Sequence, residues 1–230
     1  MSIVEIIIAV IPVILILVFV YIRDRYEKEP IWLLILSVVA GIISVFPVLA
    51  IDAYIAKFSM FLGAKRDSTF YDAFYTAAMV EEFCKWFFFM VLIWWNKNFN
   101  ERFDGIVYAV FVSLGFAGFE NLLYVSSYGI ETGIMRAFTA VPAHAIFGVF
   151  MGFYLGKAKF SKGGKRFYLL LLSLLFPIII HGIYDYLLMH GSMLLYIVFF
   201  PFFITVLIIA LIRMKKLSKI SRFRPKNNIE

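Results

Sequence analysis

The chain has 230 residues, is 63% hydrophobic and 16% charged, and has a mean hydropathy of +0.91. Soluble domains run at about 45–50% apolar and about 25% charged, so a water-soluble fold is excluded and an all-α polytopic membrane protein is expected. The formal net charge is +7, but seven Lys and Arg lie in 213–226 and five in 157–166, at the ends of apolar runs. Basic residues there meet lipid headgroups, which argues for a bilayer partner and against nucleic acid.

A bilayer crossing needs about 20 apolar residues. In chain order, seven spans are expected: 3–22, 31–55, 70–95, 105–127, 137–156, 167–189 and 192–213. The first has no basic stretch before Ile3 and no Ala-x-Ala site after it, so it reads as a retained span rather than a cleaved signal. Counting Lys and Arg by loop gives 17 on the face carrying 23–30, 96–104, 157–166 and the tail, against 4 on the other. That asymmetry puts the N-terminus outside and the C-terminus in the cytoplasm. The domain reading is a transmembrane unit over 1–213 and a basic cytoplasmic tail over 214–230.

Local signals fill in this outline. Asp104 suits the N-cap of the fourth span. Pro47, Pro177 and Pro201 fall inside spans and should kink or locally open them. Gly148, Gly152 and Gly156 make a smooth stripe against which another helix can pack closely. Trp94 and Trp95 fit an interfacial belt. Cys84 is the single cysteine, so no intrachain disulfide can form. It reads as a small apolar residue of a membrane helix.

The third span breaks the apolar pattern with Glu81-Glu82-Phe83-Cys84-Lys85-Trp86. Each ionisable group at a helix centre costs about 2.5–3.5 kcal/mol on insertion scales, so such groups are kept where they pair, reach water or do work. Both Glu81 and Glu82 can face Lys85, at spacings of four and three. Glu120, His144, His181 and Asp185 add polar groups on three further spans. At 1.5 Å per residue, Glu81 lies about 16 Å from the outer surface, Glu120 and His144 about 10 Å, His181 about 12 Å and Asp185 about 6 Å. Alternate spans run in opposite directions, so sequence spacing does not force this agreement. It implies one polar cavity reached from the outer face. Asn121 and Tyr124 flank Glu120 as possible hydrogen-bond donors, and Phe116 shares its helix face.

The chemistry has two open forms. A carboxylate, Glu81 or Glu82, can take a proton from a water that attacks a peptide carbonyl, with an imidazole or amide stabilising the oxyanion. Alternatively His144, His181 and Glu120 or Asp185 can hold Zn²⁺. The cofactor is therefore either none or Zn²⁺. Gly-x-Gly-Asp, rhomboid-type Gly-x-Ser and His-Glu-x-x-His signatures are absent. A proton-coupled transporter would use similar residues, but it needs a polar path across the whole membrane, and the inner halves of the spans look dry. A non-catalytic scaffold would merely pair these groups.

Glu-Glu-x-x-Lys-Trp at 81–86, Phe-x-x-x-Glu at 116–120, His-x-x-x-Gly at 144–148 and His-x-x-x-Asp at 181–185 together resemble the motif series of the PrsW family. These are bacterial multi-pass membrane proteases related to CAAX proteases and bacteriocin-processing proteins. Asp104-Gly-Ile-Val-Tyr108 and Met151-Gly-Phe-Tyr-Leu-Gly-Lys157 extend the likeness, which covers about Arg23 to Tyr186. Compared with CAAX proteases, this chain has Lys for Arg, displaced by one position, and Glu120 where they have His. The resemblance implies a protease of the bacterial plasma membrane that makes the site-1 cut in a membrane-anchored, single-span anti-sigma factor. A second protease then completes release of an extracytoplasmic-function sigma factor. It implies a site of Glu81, Glu82, Glu120, His144, His181 and Asp185, with Lys85 as electrostatic support.

Overall fold

A computed structural model of the chain describes residues 1–61 and 69–225. The helices are α1 (Ile3–Arg23), α2 (Ile31–Phe61), the short α3 (Thr69–Tyr71), a π-helical segment (Asp72–Ala78), α4 (Met79–Leu92), α5 (Asp104–Tyr128), α6 (Ile130–Phe138), α7 (Ala140–Lys159), α8 (Gly163–Met189) and α9 (Met193–Lys219). Among the described residues, six helices are long and apolar enough to cross a bilayer, with α6 and α7 counted as one. The expected third crossing is the continuous run α3–π–α4, about 36 Å long at helical rise. It carries Asp72, Glu81, Glu82 and Lys85, so its length rather than its hydropathy marks it. The chain is thus an all-α, multi-pass membrane protein.

Helices α5 and α7 form the centre. Every residue of α5 from Asp104 to Ala117 is buried, as is nearly all of α7. Their axes meet at the expected glycine stripe. A Cβ on Gly152 would stand 2.2 Å from the Gly105 carbonyl oxygen, and one on Gly105 2.6 Å from that of Gly152. Only backbones without side chains approach this closely, and in lipid such packing supplies the association energy that water exclusion supplies elsewhere. Around this pair, α1, α2, α8 and α9 turn Leu15, Ile35, Leu175 and Phe200 outward, as contact with acyl chains requires.

Several expected boundaries shift. α2 runs to Phe61 rather than 55, so the loop expected over 56–69 is shorter; its Lys65 and Arg66 lie outside the described residues. α9 continues to Lys219, past the expected end at 213, because the basic residues 213–219 still have the spacing of a helix. Lys226 of the tail lies outside the described residues. α2, α8 and α9 run through Pro47, Pro177 and Pro201 as single helices. Gly191, at φ 72°, makes the sharp turn between α8 and α9. Of the two tryptophans, Trp95 is exposed and Trp94 is buried, its carbonyl taking a hydrogen bond from Lys159.

Asp104 is the first residue of α5 rather than its cap. Its Oδ2 accepts from the backbone N–H groups of Asn100 and Glu101, 2.8 and 2.7 Å away, and so closes the preceding turn. Beside it the Tyr108 hydroxyl donates to Glu29, and the Glu29 backbone N–H donates to Asp24 at 3.3 Å. The end of the bundle at the basic loops, expected to be dry, therefore holds a buried acidic knot. Burial, reinforced by the adjacent Asp104, pushes the Glu29 carboxyl up to about 10, and burial raises Asp24 to about 7. The folded state holds protons that the unfolded chain releases. This contribution to stability is complete below about 4.5, the ordinary value for Glu, and is lost as pH rises through the folded values. The melting temperature in detergent micelles is expected to fall from about pH 6 to about pH 9, and Glu29→Gln is expected to flatten the slope. An equally steep slope in Glu29→Gln would place the titrating group elsewhere.

Candidate active site

The site is assembled by four helical segments that meet in the half of the bundle where α5 and α8 end and α7 begins. Glu81, Glu82 and Lys85 stand about 12–16 residues after Thr69, in mid-crossing. Trp86 fixes the rotation of α4 by donating from Nε1 to the Ser173 hydroxyl of α8, 2.9 Å away. The π segment brings Phe74 against Gly182, where a Cβ would lie 2.3 Å from the ring, so α8 can approach at the residue next to His181 only with glycine there.

Lys85 is the hub. Its fully buried Nζ donates to Glu81 Oε2 at 3.1 Å, to Glu82 Oε1 at 2.8 Å and to His144 Nδ1 at 3.1 Å. It also sits 4.0 Å from the centre of the Phe116 ring. An ammonium has three donors, and all three are used. The bond to His144 makes Nδ1 an acceptor, so the ring proton is on Nε2 and donates to Glu120 Oε2 at 3.1 Å. His181 faces carboxylates on both sides: Nδ1 is 3.0 Å from Glu82 Oε1 and Nε2 is 3.2 Å from Asp185 Oδ2. Phe147 stacks on that ring at 4.5 Å. The structure thus brings Glu81, Glu82, Lys85, Glu120, His144, His181 and Asp185 into one connected network.

Arg136, on α6, was counted in the sequence only as a loop charge. It binds Glu120 Oε2 through NH2 at 2.6 Å, binds Asn121 Oδ1 through Nε at 3.1 Å, and covers the Tyr124 ring at 3.8 Å. Its one signal in the sequence is that it is the single cation of 128–136. Asn121 bridges the site and α1: its Oδ1 accepts from Arg136, and its amide donates to the Ala9 carbonyl at 3.0 Å and ties α5 to α1. One residue further along a helix is about 100° round it, so Asn121 meets Arg136 from a different side than Glu120 does. Cys84 is buried with Val45, Val48, Val80 and Phe116, as an apolar residue would be. His190 lies against Tyr186, outside the network.

A cavity of about 670 Å³ borders this network. Glu81, Phe116, Glu120 and Tyr124 line one side of it, α2 supplies Val45, Val48 and Asp52, and the π segment supplies Asp72 and Thr76. Glu81, Glu120, Asp185 and Arg136 keep 11, 17, 14 and 15% of their side-chain surface accessible, whereas Glu82 and Lys85 keep none. Glu81 and Glu120 therefore line a space that can admit water and peptide, with Glu82 and Lys85 sealed behind them.

The donor set also suits a metal. Glu81, Glu82 and His181 each present one ligand atom, all within 4.8 Å of one another. Glu82 Oε2 is buried and has no hydrogen-bond partner. Four carboxylates (Glu81, Glu82, Glu120, Asp185) face two permanent cations (Lys85, Arg136), a formal excess of two negative charges that a divalent ion would neutralise. Two carboxylates and an imidazole are ordinary Zn²⁺ ligands, and Asp185 on the far nitrogen of His181 is the usual support for such a histidine. Of the four metal candidates from the sequence, His181 alone belongs to this group. His144 bridges Lys85 and Glu120, Glu120 is held by Arg136, and Asp185 stands behind His181, whose Nδ1 already meets Glu82, a member of the same group.

Residues 29–212 match the family described as PrsW family intramembrane metalloprotease. The chain is 41% identical to the protein named Protease PrsW of Oceanobacillus iheyensis over 205 residues, 89% of this chain and 92% of that one. It is 40% identical to Protease PrsW of Bacillus subtilis over 177 residues, 77% and 79% of the two chains. It is 35% identical to Protease PrsW of Clostridioides difficile over 187 residues, 79% and 77% of the two chains. No solved structure matches it. The profile covers most of the chain, the relatives align over three quarters or more of their lengths, and the buried carboxylate–imidazole network lies within the matched region: the chain belongs to the PrsW family of intramembrane proteases.

Proposed function

We propose that this protease makes the first cut in a single-span anti-sigma factor, on the extracytoplasmic side, and so starts regulated intramembrane proteolysis that ends in release of a sigma factor. The observation that carries the proposal is the position of the cavity beside Glu81. It opens toward the bundle end opposite the Lys- and Arg-rich face, which the charge asymmetry assigns to the cytoplasm. The N-terminus is then outside and the basic tail inside.

In this reading Glu81 is the base. It borders the cavity, and Lys85 holds its Oε2. Glu81 takes a proton from water, the hydroxide adds to the scissile carbonyl carbon, and the carbonyl oxygen becomes the oxyanion. Arg136, which binds Glu120 of the cavity wall, supplies positive charge for that oxyanion: among the described residues its NH1 makes no hydrogen bond, while its other nitrogens are held by Glu120 and Asn121. The C–N bond then breaks, and the proton on Glu81 passes to the departing amine. Glu82, His181 and Asp185 hold one side of the site in register, and Glu120 with His144 holds the other. A zinc ion held by Glu81, Glu82 and His181 would supply Lewis-acid polarisation and a more acidic water, and Glu81 would then serve as a ligand instead of the base.

The test is co-expression or reconstitution with candidate anti-sigma factors, followed by mass-spectrometric mapping of the new termini. The expected cut lies in the outer half of the substrate's span or just outside it. A cut on the cytoplasmic side, or cleavage only of soluble peptides, would overturn the assignment.

A further inference from the structure

A second cavity, of about 510 Å³, lies at the opposite end of the bundle, between the end of α1 and the end of α9. Arg23 and Arg25 line one side, and Lys215 and Lys219 the other. Arg224 completes the rim, and none of the twelve lining residues is acidic. Among the described residues, Arg23, Arg25, Lys215 and Lys219 make no ion pair. Gathering like charges around a concave space focuses a field that draws an anion into it.

The lower wall has a different chemistry. Ile208, Leu211 and Ile212 line it from α9, all three with exposed side chains. Ile208 is seven residues before Lys215, about 10 Å deeper into the bilayer at helical rise. Phe103, buried, lines the same space. The cavity is therefore two-level, with cations at headgroup height and aliphatic side chains at acyl height. A free phosphate or a nucleic acid would use only the upper level.

We infer that this cavity binds an anionic phospholipid of the leaflet at the basic face, its phosphodiester between Arg23, Arg25, Lys215 and Lys219 and the start of an acyl chain along Ile208, Leu211 and Ile212. Basic pockets between membrane helices take such headgroups, and each Lys or Arg near an anionic surface strengthens binding about fivefold. The inference does not depend on the protease reading, because the two cavities share no residue.

The experiment is native mass spectrometry of the full-length protein in detergent, titrated with phosphatidylglycerol and with phosphatidylcholine. The wild type is expected to retain phosphatidylglycerol at least about tenfold more tightly than phosphatidylcholine. The double variant Lys215→Gln/Lys219→Gln should lose at least about tenfold of that affinity. The double variant Lys162→Gln/Lys165→Gln, equally basic but in the loop and first turn between α7 and α8, should stay within about twofold. Equal retention of the two lipids, or equal losses in both double variants, would show generalised surface charge and overturn the site. Displacement by inorganic phosphate at the affinity of the lipid would overturn the acyl-chain half of the assignment.

Discussion

Glu81→Gln is expected to leave the protein inserted and folded and to lower cleavage of a membrane-protein substrate by about 10²–10⁴-fold. Glutamine keeps the shape and can still meet Lys85, so packing survives, but it cannot accept a proton from water. The prediction separates the two adjacent glutamates. Glu81 lines the cavity, whereas Glu82 is fully buried and holds Lys85 and His181 through one oxygen. Glu82→Gln should therefore reduce both activity and melting temperature, while Glu81→Gln reduces activity alone. Wild-type cleavage by Glu81→Gln, measured by immunoblot of tagged substrate and by rate in liposomes, would remove Glu81 from the role of base.

Lys85→Met should have the largest effect on stability. The ammonium is sealed among Glu81, Glu82 and His144 and over Phe116. Its removal leaves two carboxylates in an apolar interior with their shared counter-charge gone. Breaking a buried pair in this way costs about 3–5 kcal/mol, because an uncompensated charge remains. The measurement is unfolding in micelles, read by melting temperature and by denaturant midpoint. Lys85→Met/Glu82→Gln should recover part of the loss, since it also removes one of the stranded charges, and the recovered part is the coupling between the two sites. A single variant as stable as the wild type would mean that Lys85 is not the hub.

The sequence disclosed the helices and the helix of origin of each polar group more fully than their partners. Hydropathy gave six of the spans because a bilayer crossing is a property of one segment; the third, which carries Glu81, Glu82 and Lys85, is marked by its length. The shared depth of Glu81, Glu120, His144, His181 and Asp185 was legible because helical rise is constant and the spans alternate in direction. Partner choice was not legible, since it depends on how helices rotate against each other. Arg136 looked like a topology charge until α6 folded over Glu120. Asn121, next to Glu120 in sequence, points to α1. The acidic knot of Asp24, Glu29 and Asp104 escaped notice because its members come from a loop and a helix end, about 75 residues apart, where charges normally face water. Boundary errors at Phe61 and Lys219 arise where polar side chains ride on a helix that continues beyond its apolar stretch.

The π-helical turns from Asp72 to Ala78 also set a length rule for the chain. Such a segment carries more residues per turn than an α-helix, and at single-turn scale it has the character of an insertion absorbed without breaking the rod. Each residue gained or lost rotates everything upstream by about 100° relative to everything downstream. Thr76 and Asp72 border the cavity only at the present count, and Phe74 finds Gly182 only at that count. Side chains in this stretch can therefore be exchanged far more freely than the number of residues can be altered: a one-residue deletion would swing the wall of the cavity toward the lipid while leaving every charged side chain of the network in the sequence.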